Sequence, residues 1–124
     1  MNFRKITLKS GISVILGKDQ DSNDYLMEDF KGKQNIILHT VAPGSPFGII
    51  DKTEPKPKKS EIYEAGTYVA RYSQDWRDNQ KDIKVSVFTG KNISKPRNAK
   101  PGMWSVEKAK TIIIKKKDII NITK

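Results

Sequence analysis

Apolar and polar side chains alternate through Phe3-Arg4-Lys5-Ile6-Thr7-Leu8, break at Gly11, and resume in Ile12-Ser13-Val14-Ile15-Leu16. A period of two with β-branched residues predicts a β-hairpin. The polar segment 17–24 reads as a turn, and Tyr25, Leu26 and Phe30 fit a short helix over residues 23–30 with Ser22 or Asn23 as its cap. Asn35-Ile36-Ile37-Leu38-His39-Thr40 is a compact apolar run, expected as an inner strand, followed by a tight turn at 41–46 and a strand at 47–50. Residues 51–59, with Pro55 and Pro57 among lysines, read as a surface linker within the domain.

Ile62, Ala65, Gly66, Val69, Ser73 and Trp76 recur every three or four positions, which predicts one long helix over 60–77 capped by Ser60. Its small residues, Gly66 and Ala70, suit close approach to a sheet. Tyr63, Tyr68 and Tyr72 read as amphipathic core or rim residues of its packed face rather than as stacking platforms. Ile83-Lys84-Val85-Ser86-Val87 alternates cleanly, as an antiparallel strand with Lys84 and Ser86 on its wet side. Met103 to Val106 and Thr111 to Ile114 are further strands, and Lys115-Lys116-Lys117 reads as a solvated tail. The expected fold is a single α+β domain spanning 1–124, a mixed or mostly antiparallel sheet packed against one long helix and one short helix.

The charge changes this picture by its distribution. Residues 1–80 carry 12 basic and 11 acidic side chains, a balance of +1, whereas residues 81–124 carry 12 basic and 3 acidic, a balance of +9. Charge confined to one segment creates a local field that attracts a polyanion. The chain has no cysteine, which excludes disulfides and thiolate chemistry, and a single histidine. It has neither an apolar leader nor a run long enough to span a bilayer, so a soluble cytoplasmic protein without a membrane partner is expected.

The densest feature is the stretch from Gly90 to Trp104, in which fifteen residues hold Lys91, Lys95, Arg97 and Lys100, two prolines and two glycines. Proline restricts the backbone and glycine extends it, so the stretch predicts a shaped basic loop between strands. Lys91, Lys95, Arg97 and Lys100, with Lys84 on the adjoining strand, can each neutralise a phosphate. Trp104 at the loop exit has two readings, a platform for a base or a core side chain. His39 and Ser45 either shape the turn between them or touch the ligand. As a catalytic pair they lack the Gly-x-Ser-x-Gly elbow and an acid partner, so no enzyme is expected. The Asp19, Asp21 and Asp24 group departs from a calcium loop at its sixth and twelfth positions and reads as a solvated helix entrance. No cofactor or metal is expected.

Four elements together resemble a known family, the NFACT-R RNA-binding domain found in ribosome quality-control proteins of the Rqc/NEMF type and as stand-alone proteins. They are Gly17-Lys18-Asp19 with Asn23, Asp24 and Leu26; Ile37-Leu38-His39-Thr40 with Pro43-Gly44-Ser45-Pro46; Ala65 through Tyr72-Ser73; and Ile93-Ser94-Lys95-Pro96 with Lys100-Pro101-Gly102. The family's tryptophan is Ile37 here and its turn histidine is Pro46. The resemblance covers about residues 12–115 and adds Lys18 and Asn23 to the candidate RNA-binding set. It implies binding of tRNA or rRNA as an accessory factor in translation, ribosome quality control or tRNA modification, with the ribosome or an RNA-modifying enzyme as further partners. A protein-interaction adaptor that docks an acidic partner on its basic face is the alternative.

Overall fold

A computed structural model describes residues 2–100 and 103–123 of the chain. The first hairpin pairs β1 (Phe3–Thr7) with β2 (Ser13–Gly17), followed by α1 (Gln20–Phe30), β3 (Ile36–Thr40) and β4 (Gly48–Ile50). Two helices come next, α2 (Lys59–Arg71) and α3 (Gln74–Asn79), then the long strand β5 (Ile83–Thr89). A short 3-10 turn leads into β6 (Ile93–Ser94), β7 (Ser105–Val106), β8 (Lys110–Ile114) and α4 (Lys116–Thr123). Six strands form one antiparallel sheet in the order β1-β2-β4-β3-β5-β8, and β6 pairs with β7 in a separate two-stranded ladder. The architecture is α+β, as the hydrophobic pattern predicts, with β3 inside the sheet.

Period-two alternation splits the strands between two apolar layers. Val14, Leu16, Leu38, Ile50, Ile83 and Val85 pack with Ala65, Val69 and Ala70 of α2 and Trp76 of α3. Ile37, Ile49 and Phe88 pack on the other face with Leu26, Met27 and Phe30 of α1, Phe47 and Ile93. A Cβ on Gly66 would stand 3.0 Å from Ile114 Cδ1, so the small residues of α2 do permit close approach to the sheet.

Four expectations are corrected. The short helix begins at Gln20, because Asp19 Oδ1 accepts the Ser22 N–H at 2.8 Å while Ser22 Oγ accepts the Asp19 N–H at 3.0 Å. Asp19 is therefore the cap, and neither Ser22 nor Asn23 is. The long helix divides at Tyr72-Ser73: Ser73 has extended ψ 154° and its Oγ accepts the Trp76 N–H at 3.2 Å, capping α3. Its start is also not capped by Ser60, which is exposed within the first turn; Glu61 Oε1 instead accepts the Lys58 N–H at 2.7 Å. Finally, the lysines at 115–117 open a helix rather than trail into solvent, since Ile119 is fully buried and Tyr63 donates its hydroxyl to Asp118 at 2.5 Å.

Candidate nucleic-acid interface

The basic stretch is closed at its root by the β6–β7 ladder, where Ile93 pairs with Val106 and Ser94 with Ser105. Buried Ile93 and half-buried Trp104 and Val106 anchor it to the α1 layer. Arg97 and Lys100 on the loop and Lys91 in the turn before it are exposed, and the Pro101-Gly102 step lies outside the described residues. Lys95 differs from them: its Nζ lies 3.5 Å from Asp24 Oδ2 on α1 and 5.0 Å from the Trp104 ring centroid. Trp104 donates its indole N–H to Asp24 Oδ1 at 2.9 Å. Asp24 therefore ties both ends of the loop to α1, and Trp104, half-buried, is held by this bond with part of its surface lining a cleft.

His39 lies across the sheet from Ser86, and period-two geometry puts Lys84, Ser86 and His39 on the face that carries α1 and the loop. Its ring rests 4.3 Å from that of Phe47, and Nδ1 lies 2.8 Å from the Thr40 carbonyl oxygen. A carbonyl only accepts, so Nδ1 carries the proton of the neutral ring and donates it. Burial holds the His39 pKa below its ordinary value, opposed by hydrogen bonds to Thr40 and Ser45.

The 43–46 turn is built from its own side chains. Buried Ser45 accepts the Thr40 N–H at 3.1 Å and donates to the Pro46 carbonyl at 2.7 Å. Gly44 has φ +88°, a left-handed conformation, and its carbonyl accepts the Gln74 N–H at 2.7 Å, docking the turn on α3. Asn23 completes the frame by accepting the Phe47 N–H at 3.0 Å. Ser45 and Asn23 thus shape this region through internal bonds. Ser45 and His39 each bond to the backbone, so the nucleophile pair weighed from the sequence is not formed.

Two clefts meet at His39 and Met103. One, of about 620 Å³, is lined by Arg4, Lys18, Asn23, His39, Ser45, Tyr72 and Arg77 among others. The second, of about 410 Å³, runs over Ser86, Phe88, Trp104 and Ala109. The structure therefore brings Lys18, Asn23, His39 and Ser45 to one cleft and joins it to the root of the loop through Met103, while Lys84, Lys91, Arg97 and Lys100 line neither. Arg4, Tyr72 and Arg77 are not among the residues expected from the sequence; the one signal available was Ser73 followed by Asp75, a start signal for a separate helix. Among the described residues no group of three or more His, Asp or Glu side chains is placed to hold a metal.

A family model described as the NFACT protein RNA binding domain matches residues 2–108. The chain belongs to that family. Two Rqc2-type proteins carry similar sequences: the Rqc2 homolog RqcH of Bacillus subtilis, 29% identical over 85% of this chain, and the archaeal Rqc2 homolog aRqcH of Methanocaldococcus jannaschii, 31% identical over 73% of it. The matched regions are only 18% and 14% of those two proteins. The same fold is seen in the solved C-terminal part of the fibronectin/fibrinogen-binding protein of Streptococcus suis. That chain superposes with a TM-score of 0.81 at 22% identity, over 98% of this chain and 49% of that one. At that identity the likeness is one of fold.

Proposed function

We propose that this chain is an RNA-binding module that grips structured RNA, tRNA or ribosomal RNA, through the basic loop beside the His39 clefts. The observation that carries this reading is the position of Arg97 and Lys100 on a loop fastened to α1 through Asp24, with Lys91 in the turn that leads into it, all three exposed and outside every ion pair among the described residues. Fixed cations of this kind neutralise phosphates and release counterions, which gives affinity without a sequence code. Lys84 extends the charge onto the sheet face. His39 and Ser45 hold the shape of the neighbouring turn, and Trp104 fastens the loop to α1 while lining the adjoining cleft. The Rqc2-type relatives support a setting in ribosome quality control, with the ribosome as the larger partner.

The test is a titration of a transcribed tRNA at increasing salt. Changing Lys91, Arg97 and Lys100 together to Ala is expected to flatten the log–log dependence of affinity on salt by roughly 2–3, about 0.9 for each phosphate no longer neutralised. An unchanged slope would exclude the loop as the grip.

A further inference from the structure

Three of the chain's four arginines converge on one tyrosine. The Arg4 guanidinium carbon lies 3.8 Å from the centroid of the Tyr72 ring, and that of Arg71 lies 5.1 Å from it. Arg77 donates from Nη1 to the Tyr72 carbonyl at 3.3 Å and from Nη2 to Gln74 Oε1 at 2.9 Å. The three come from β1, the last turn of α2, and α3, so the fold and not the sequence gathers them. The break at Tyr72-Ser73 is what turns α3 and brings Arg77 to this place.

Among the described residues none of the three belongs to an ion pair. Arg4, Tyr72 and Arg77 line the 620 Å³ cleft together with Lys18. The one carboxylate in that lining, Asp19, accepts the Ser22 N–H as the cap of α1. Like charges gathered with no carboxylate in direct ion-pair contact repel one another, and stacking on a ring offsets only part of that. The arginine fork matches phosphate in a way that lysine, the chain's common cation, does not.

We propose that this arginine cluster is a second phosphate-binding site, which holds a further stretch of the backbone of the RNA gripped by the loop. The inference rests on the RNA-binding reading above. It makes the cleft past His39 and Met103 the passage between two cationic contacts.

The experiment measures tRNA affinity against salt for three proteins of full length: the unsubstituted chain, the Arg4→Gln/Arg71→Gln/Arg77→Gln variant, and its Arg→Lys counterpart. The Gln variant is expected to lose roughly 2–3 from the log–log slope, and the Lys variant to keep it within about one, since the slope counts neutralised phosphates. Should the Gln variant melt too low for the assay, Arg71→Gln alone, whose guanidinium makes no hydrogen bond among the described residues, is expected to lose about one. A Gln variant or single variant with an unchanged slope overturns the second site. If the loop variant loses slope while the arginine variant does not, the loop reading stands and only the second site falls. If the unsubstituted chain binds neither tRNA nor a folded ribosomal RNA fragment, both readings fall.

Discussion

His39 is held neutral between Phe47 and the Thr40 carbonyl, and this ties stability to pH. Its folded pKa lies below the ordinary 6.5, so as pH falls the unfolded chain takes up the proton first. Stability is thus full above about pH 6.5 and declines below it, through a window that ends at the lower folded value. The expected result is a melting temperature that falls as the pH drops below the ordinary histidine value of 6.5, with the decline reduced in His39→Gln. The carboxylates held low by hydrogen bonds, Asp19, Glu61 and Asp82, titrate in a more acidic window, from their ordinary values of 3.8, 4.5 and 3.8 downward. Single residues were the least legible part of the sequence. The orientation of Trp104 depends on Asp24, eighty positions away, and no local pattern encodes that bond.

Elements were legible where their pattern is long. The first hairpin, the inner strand at β3 and the alternation of β5 appear where their periodicity puts them. The error at 60–77 has a specific cause: Val69, Ser73 and Trp76 keep helical spacing across the break, because α3 resumes with its tryptophan on the same core. Ser73 fits that spacing as a small interior residue, yet it acts as a cap. Ser73→Ala removes the acceptor for the Trp76 N–H and is expected to lower stability by about 1 kcal/mol, read from the denaturant midpoint. The sequence reading of a shaped loop between strands included Met103 to Val106 as a strand, but the two-residue β6 and its pairing with β7 are too short for any periodicity to show that a ladder closes the root.

Across the whole chain, counting charge by segment located the basic loop and concealed the arginine cluster. The first 80 residues sum to +1 because their 11 acids nearly equal their 12 lysines and arginines in number, yet none of those acids is ion-paired with Arg4, Arg71 or Arg77 among the described residues. A segment total cannot see a cluster assembled from β1, α2 and α3. The C-terminal lysines show the converse, since a charge run that looked solvated carries a core residue just beyond it. Ile119→Ala is expected to cost about 2–4 kcal/mol in chemical unfolding, where a residue of a free tail would cost nothing measurable.

The fastening of the loop to α1 has one more consequence. Asp24 occupies Lys95 with a negative oxygen 3.5 Å away, so this cation already has a resident counterion. An incoming phosphate must exchange with a carboxylate there, not merely displace diffuse salt ions, and the exchange returns less free energy than a contact with a free lysine. Lys95 therefore contributes little to indiscriminate attraction for any polyanion. If the loop grips RNA as proposed, a rigid ligand whose other phosphates are already seated on Arg97 and Lys100 would make this exchange more readily than a loose, flexible strand, and Asp24 would then act as a filter.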